Sequence, residues 1–175
     1  YSDCCSVTDG FCGAVLATGE FVKAHRVNRP VMEILGFGQG TLYHPLGGRD
    51  VLRPVSVEHA VEDALRRAGL QRGEVDFAQV HDCFTVAELV LTSILTGRAI
   101  KEVADYVASG ATASDGEFPI NPAGGRIGIG HPVGATGLRM LIENYLQHTR
   151  RAGENQVGRA DVGMTVNFGG AYAVS

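Results

Sequence analysis

The sequence predicts an α/β fold in which a mixed sheet is layered with helices. Helical periodicity recurs over residues 56–68, 84–96 and 134–148, and Gly69 and Gly97 stop the first two segments. Short apolar runs bounded by glycine or turn residues separate them, as strands between helices would. The most reactive side chains fall where a predicted strand ends and a helix begins, which is where open α/β sheets place their sites.

Taken in order, the Gly/Ala-rich apolar run Val7–Ala17 predicts a buried strand, and Phe21–His25 a short helical turn. Val31–Phe37 predicts a second strand, after which Gly38, Gly40 and Gly48 mark a long loop. Ser56 is the expected N-cap of a helix whose apolar face comprises Val57, Ala60, Val61, Ala64, Leu65 and Ala68. Asp76–Val80 then predicts a strand, and Phe84–Thr96 a helix. Ile100–Val107 predicts an amphipathic turn or two, and the Gly/Ala/Ser/Asp-rich residues 109–117 an irregular cover. A helix over 134–148 would bury Leu138, Leu141, Ile142, Tyr145 and Leu146, with Arg150-Arg151 complementing its C-terminal dipole. Asp161–Val166 and Ala171–Val174 complete the sheet as two strands joined by a hairpin at Gly169-Gly170.

Composition narrows the function. The 175 residues suffice for one substantial core, and 45% hydrophobic with 19% charged residues is the balance of a soluble globular chain. No apolar run reaches the roughly 20 residues that span a bilayer. A net charge of −4 without a basic stripe argues against nucleic acid as partner. The four cysteines show neither a disulfide framework nor the spacing of a zinc site, so free thiols in a reducing, cytoplasmic compartment are expected. No internal repeat is visible.

Two motifs carry the chemistry. In His81-Asp82-Cys83-Phe84 a thiol stands at a helix N-terminus beside a histidine, a setting that can lower its pKa and make it an acid, base or nucleophile. In Gly130-His131-Pro132-Val133-Gly134-Ala135-Thr136-Gly137 a histidine stands in a glycine-rich loop that opens a helix. Each residue alone also has a plain structural reading, a small buried hydrophobe for Cys83 and a cap for His131. The second motif lacks the Gly-Lys-Ser/Thr ending of a phosphate-cradling loop.

These motifs, with Asn121-Pro122-Ala123-Gly124-Gly125 between them and Asn167-Phe168-Gly169-Gly170-Ala171 after them, resemble in order and separation the C-terminal half of thiolases. The sterol carrier protein X type and the lipid-transfer acetyl-CoA acetyltransferases are most similar. The opening Asp3-Cys-Cys-Ser-Val-Thr-Asp-Gly stretch resembles the last strand of the family's N-terminal half. The resemblance implies a remnant of that half over residues 1–30 and a thiolase C-terminal domain over 31–175.

The implied activity is that of an acyl-CoA acyltransferase, by thiolytic cleavage of a 3-oxoacyl-CoA or the reverse Claisen condensation. Cys83 would be the acid/base, His131 and His81 would form the oxyanion hole, and Asp82 would orient or tune its neighbours. Phe84, Gly130, Asn167, Gly169 and Gly170 would line the substrate. Coenzyme A enters as substrate, with no tightly bound cofactor or metal. Two departures from the commonest thiolases matter. The residues before the terminal glycines, Thr165-Val166-Asn167, carry no cysteine, which moves proton transfer to Cys83. The nucleophilic cysteine belongs to the family's N-terminal half, so these residues alone are expected to be inactive. That half, in the same parent chain or a separate subunit, is an expected partner, as are a second copy of the chain and an OB-fold acyl-CoA-binding protein. Two rival readings are a sterol side-chain CoA lyase or aldolase subunit and a non-catalytic binding or assembly subunit.

Overall fold

β1 (Phe77–Val80) is buried at every residue, as a strand covered on both faces must be. A computed structural model describes residues 3–42 and 50–170 and contains, besides β1, the elements α1 (Gly19–Ala24), α2 (Val55–Ala68), α3 (Thr85–Thr96), α4 (Ile100–Ala108), α5 (Gly125–Ile129), α6 (Thr136–His148) and β2 (Gly163–Val166). β2 lies parallel to β1, pairing Phe77 with Gly163 and Val80 with Val166. A single parallel bridge sets Ile120 beside Ala78 of β1, and two isolated bridges lie apart from the strands, Val7 with His131 in parallel and Cys4 with Phe84 antiparallel. The architecture is α/β.

Alternation along β1 sorts the core into two parts. Ala78 and Val80 join Val57, Val61 and Leu65 of α2 and Val90, Leu91, Ile94 and Leu95 of α3 in the main cluster. Phe77 packs instead with Val157 and Ala160. Burying a side chain of the Val, Leu or Phe class is worth about 1.5–3 kcal/mol, so the main cluster dominates. α2 and α3 end on Gly69 and Gly97 in the left-handed conformation, as their sequence stops require. Arg150, itself left-handed, donates to Val157 O and Gly158 O just beyond α6.

Several expectations need correction. Val7–Ala17 is not a buried strand: it has one bridge and leaves Val7, Phe11, Val15 and Leu16 exposed, because no described element covers it. Val31–Phe37 does not pair as a strand either. Its continuation packs on α2 instead, where Gly36, Gly38 and Gly40 lie against Ala64, Ala60 and Ser56, every second residue meeting every fourth. The N-cap of α2 is Pro54 rather than Ser56, which sits buried in the first turn. The hairpin partner Ala171–Val174 and most of the loop up to Gly48 lie outside the described residues.

The largest correction concerns α6. Its buried residues are Thr136, Met140, Glu143, Asn144 and Gln147, while Leu141 is exposed and Leu138, Ile142, Tyr145 and Leu146 are only partly covered. The helix turns its polar side to the sheet and its apolar side outward.

A Cβ at Gly38 would collide with the Ala60 carbonyl, whereas one at Gly13 meets open space. Gly38→Ala should therefore lower stability by about 1–3 kcal/mol. Gly13→Ala should change it by less than about 0.5 kcal/mol. Urea denaturation midpoints compare the two directly.

Candidate active site

The site forms where the C-terminal end of β1 meets the segment leading into α6. His81 follows β1 and stays in the ladder by donating its N–H to Val166 O at 3.0 Å. His131 is held by residues 3–8: its N–H donates to Ser6 O at 2.9 Å, and Thr8 N–H donates to its carbonyl at 3.4 Å. Gly130, at φ +86°, places its Cα against the Thr8 side chain, where any Cβ would clash. The two imidazoles meet edge to face with centroids 4.8 Å apart, and Phe168 closes on His81 from another side at 4.9 Å.

Both imidazoles are uncharged at neutral pH. Burial, the neighbouring His131 and the Arg126 charge push His81 down to about 4 against the opposing pull of Asp82. Burial and Arg126 lower His131 as well. His131 Nδ1 lies 2.6 Å from Thr136 Oγ1, whose hydroxyl also reaches Pro132 O at 3.2 Å. When the hydroxyl donates to Nδ1, the ring proton sits on Nε2; when it donates to Pro132 O, Nδ1 carries the proton. His81 Nδ1 is buried and has no hydrogen-bond partner among the described residues.

Cys83 lies two residues before α3, half-buried. Helix proximity does not lower its pKa as the sequence suggested. Burial, then the neighbouring Cys5, raise the thiol to about 11, outweighing the nearby backbone N–H groups. Cys5 is placed there by the bridge between Cys4 and Phe84, with Cys5 N–H donating to Cys83 O at 3.0 Å. At neutral pH Cys83 is a protonated thiol.

Asp82 does not hydrogen-bond an imidazole. Its carboxylate accepts Arg126 N–H at 2.6 Å and Ile127 N–H at 3.3 Å, capping the N-terminus of α5. Asn121 acts similarly, accepting Val80 N–H at 2.8 Å and donating to Glu88 at 3.0 Å, which ties the Asn-Pro motif to β1 and α3. Phe84 is about half exposed. Asn167 is exposed, its amide beside Gly137 in the first turn of α6, and Gly169 and Gly170 are exposed beyond β2. The structure thus brings His81, Asp82, Cys83, Gly130 and His131 together at one end of β1 and leaves Phe84, Asn167 and the terminal glycines on the surface. Sequence reasoning missed Arg126, Glu143, Cys5 and Thr8. The one available signal was an arginine isolated in the Gly-Ile run before His131.

Among known proteins, the model of the family described as thiolase C-terminal domain-like matches residues 44–175. The chain is 31% identical over 169 residues to an acetyl-CoA acetyltransferase of Methanothermobacter thermautotrophicus, covering 96% of this chain and 44% of that protein. It is 33% identical over 175 residues to sterol carrier protein 2 of Homo sapiens, covering 98% of this chain and 32% of that protein. A solved Ltp2-ChsH2(DUF35) aldolase shares the fold with a TM-score of 0.63 and 22% identity, over 71% of this chain and 33% of that one. The chain spans less than half the length of these relatives.

A raised thiol favours the neutral folded state, so folding holds a proton more tightly than the unfolded chain between pH 9.0 and about 11. That contribution is present below pH 9.0 and lost as pH rises through the folded value. Cys83→Ala should therefore flatten the alkaline limb of the stability curve, and the wild-type Cys83 Cβ resonance should titrate near pH 11. A titration below pH 8 would contradict the assignment.

Proposed function

The chain belongs to the thiolase C-terminal-domain family, and from that premise we propose that it supplies the proton-transfer and oxyanion-stabilising residues of an acyl-CoA acyltransferase. The observation that carries this reading is the pair of uncharged imidazoles 4.8 Å apart, with the protonated Cys83 thiol two residues from His81. In thiolysis a nucleophilic cysteine from the family's other half adds to the 3-oxo carbon of the substrate, and the bond between C2 and C3 then breaks. The electron pair left on C2 delocalises onto the thioester oxygen, where charge is stabilised by donors already in place. His131 donates from Nε2, the tautomer selected when Thr136 donates to Nδ1, and His81 supplies the second donor. Cys83 delivers its proton to C2 and releases acetyl-CoA. The resulting thiolate takes the thiol proton of incoming coenzyme A, whose sulfur then attacks the acyl-enzyme. Condensation is the same sequence reversed.

In this reading residues 31–175 are the C-terminal domain and 1–30 the end of the preceding half. Asp82 acts through the backbone of α5. Phe84, Gly130, Asn167, Gly169 and Gly170 border the acyl-CoA, which is a substrate and not a resident cofactor. The outward apolar side of α6 and the exposed Phe11, Val15 and Leu16 offer a seat for the other thiolase half, from the same parent chain or a separate subunit. The assembled enzyme is cytoplasmic and homo-oligomeric. Among the described residues no helix is long and apolar enough to cross a membrane. The aldolase reading would add an OB-fold acyl-CoA-binding partner. The retained His81 and Cys83 favour acyl transfer over it and over a purely binding role.

In the assembled enzyme, Cys83→Ala should reduce acetoacetyl-CoA thiolysis by about 10²–10⁴-fold with little change in substrate affinity. His131→Ala should cost about 10²–10³-fold in kcat. Stopped-flow thiolysis with a parallel binding titration checks both, and full activity of the Cys83 variant would remove the thiol from the mechanism.

A further inference from the structure

We infer that Arg126 is a positioning residue of the site: its buried guanidinium fixes α5, and with it His131, against the His81-Asp82-Cys83 turn. The inference rests on the catalytic reading above. Arg126 is fully buried, and an unpaired guanidinium there would be strongly destabilising. It is paired through a chain of alternating charge that joins three elements. Nε lies 3.9 Å from Asp82 Oδ1 at the end of β1, and Nη2 donates to Glu143 Oε2 in α6 at 3.0 Å. Arg139 Nε closes on Glu143 Oε1 at 3.0 Å. Asp82 meanwhile caps the backbone of the same short helix, so it accepts from the Arg126 main chain and faces its guanidinium charge, while Nε and Nη1 have no hydrogen-bond partner among the described residues. Gly125, at φ +60°, permits this approach, because a Cβ there would overlap the Asp82 carboxylate. α5 ends at Ile129, one residue before Gly130-His131, so the placement of His131 follows from that of α5.

The same charge opposes protonation of both rings. Arg126 pushes His81 and His131 towards the neutral form, and Asp82 pulls the other way. Around Asp82 and Arg126 the other charged or titratable groups are Cys83 beyond β1, Cys5 in the opening segment, Glu88 on α3, and Glu143 with its partner Arg139 on α6. A neutral imidazole can both donate from one nitrogen and accept at the other, which an imidazolium cannot do. The oxyanion role proposed for the rings requires the first of these.

The test follows the His81 and His131 ring resonances through a pH titration of the isotopically labelled chain, beside the acid limb of kcat/KM in the assembled enzyme. Arg126→Met should raise both imidazole pKa values, His131 more than His81, and move the acid limb with them. Arg126→Lys, which keeps the charge, should hold them low. Glu143→Gln, which removes a neutralising carboxylate, should leave them unchanged or lower. A merely structural role would make all three variants drift upward together as packing loosens, and that pattern overturns the inference. So do unchanged imidazoles in Arg126→Met or, should that variant not fold, raised ones in Glu143→Gln. Shifted imidazoles in an enzyme with no acyl-transfer activity would overturn the catalytic reading and leave this inference standing.

Discussion

A carboxylate with almost no exposure must be paired, and the pairing of Asp82 organises the rest of the site. Asp82 immediately follows His81, at the end of the most buried strand, so its position is set by the β1 and β2 ladder. Its oxygens then recruit the backbone of α5 across 44 residues of sequence, and the arginine of that helix recruits Glu143 on α6. Two motifs distant in sequence become one site because a single acid at the end of a strand accepts hydrogen bonds from the helix that leads into the second.

This constraint accounts for the inversion of α6. An amphipathic helix on a sheet ordinarily buries its apolar side. Here the space beside the sheet holds Arg126 and Gln79, so the helix meets it with Glu143, Asn144 and Gln147. Asn144 donates to Thr165 Oγ1 of β2 at 2.9 Å, and Gln147 donates to Asn155 O at 2.6 Å. Gln79, fully buried, has neither side-chain polar atom hydrogen-bonded among the described residues, and Asn144 Oδ1 is in the same condition. Buried polar groups of this kind are costly, and ordered water is the usual partner where the site is polar.

What could be read in the sequence divides along physical lines. The three long helices were legible because periodicity and glycine stops are local signals, and β1 was legible as a short apolar run between two of them. Val7–Ala17 and Val31–Phe37 misled because an apolar run reports that a segment needs cover, not which element supplies it. Periodicity also showed that α6 has an apolar side without showing which way that side faces. α5 was not legible at all. Gly125-Arg126-Ile127-Gly128-Ile129 is too short for a period, and its helix depends on a carboxylate far upstream. His81, Cys83 and His131 stood out as reactive residue types at element boundaries, whereas Arg126 and Cys5 acquire meaning only from what lies beside them. The direction of the Cys83 shift was misjudged for the same reason, since burial is not a local property.

The central claim is that this chain moves protons and stabilises charge while the acyl group is carried on another cysteine. The most direct measurement is to quench the assembled enzyme during turnover of acetyl-CoA and map the acetylated peptide by mass spectrometry. The account predicts the thioester on a cysteine outside these 175 residues, with Cys4, Cys5, Cys12 and Cys83 unmodified. An acetyl group on Cys83 would make it the nucleophile and contradict the account.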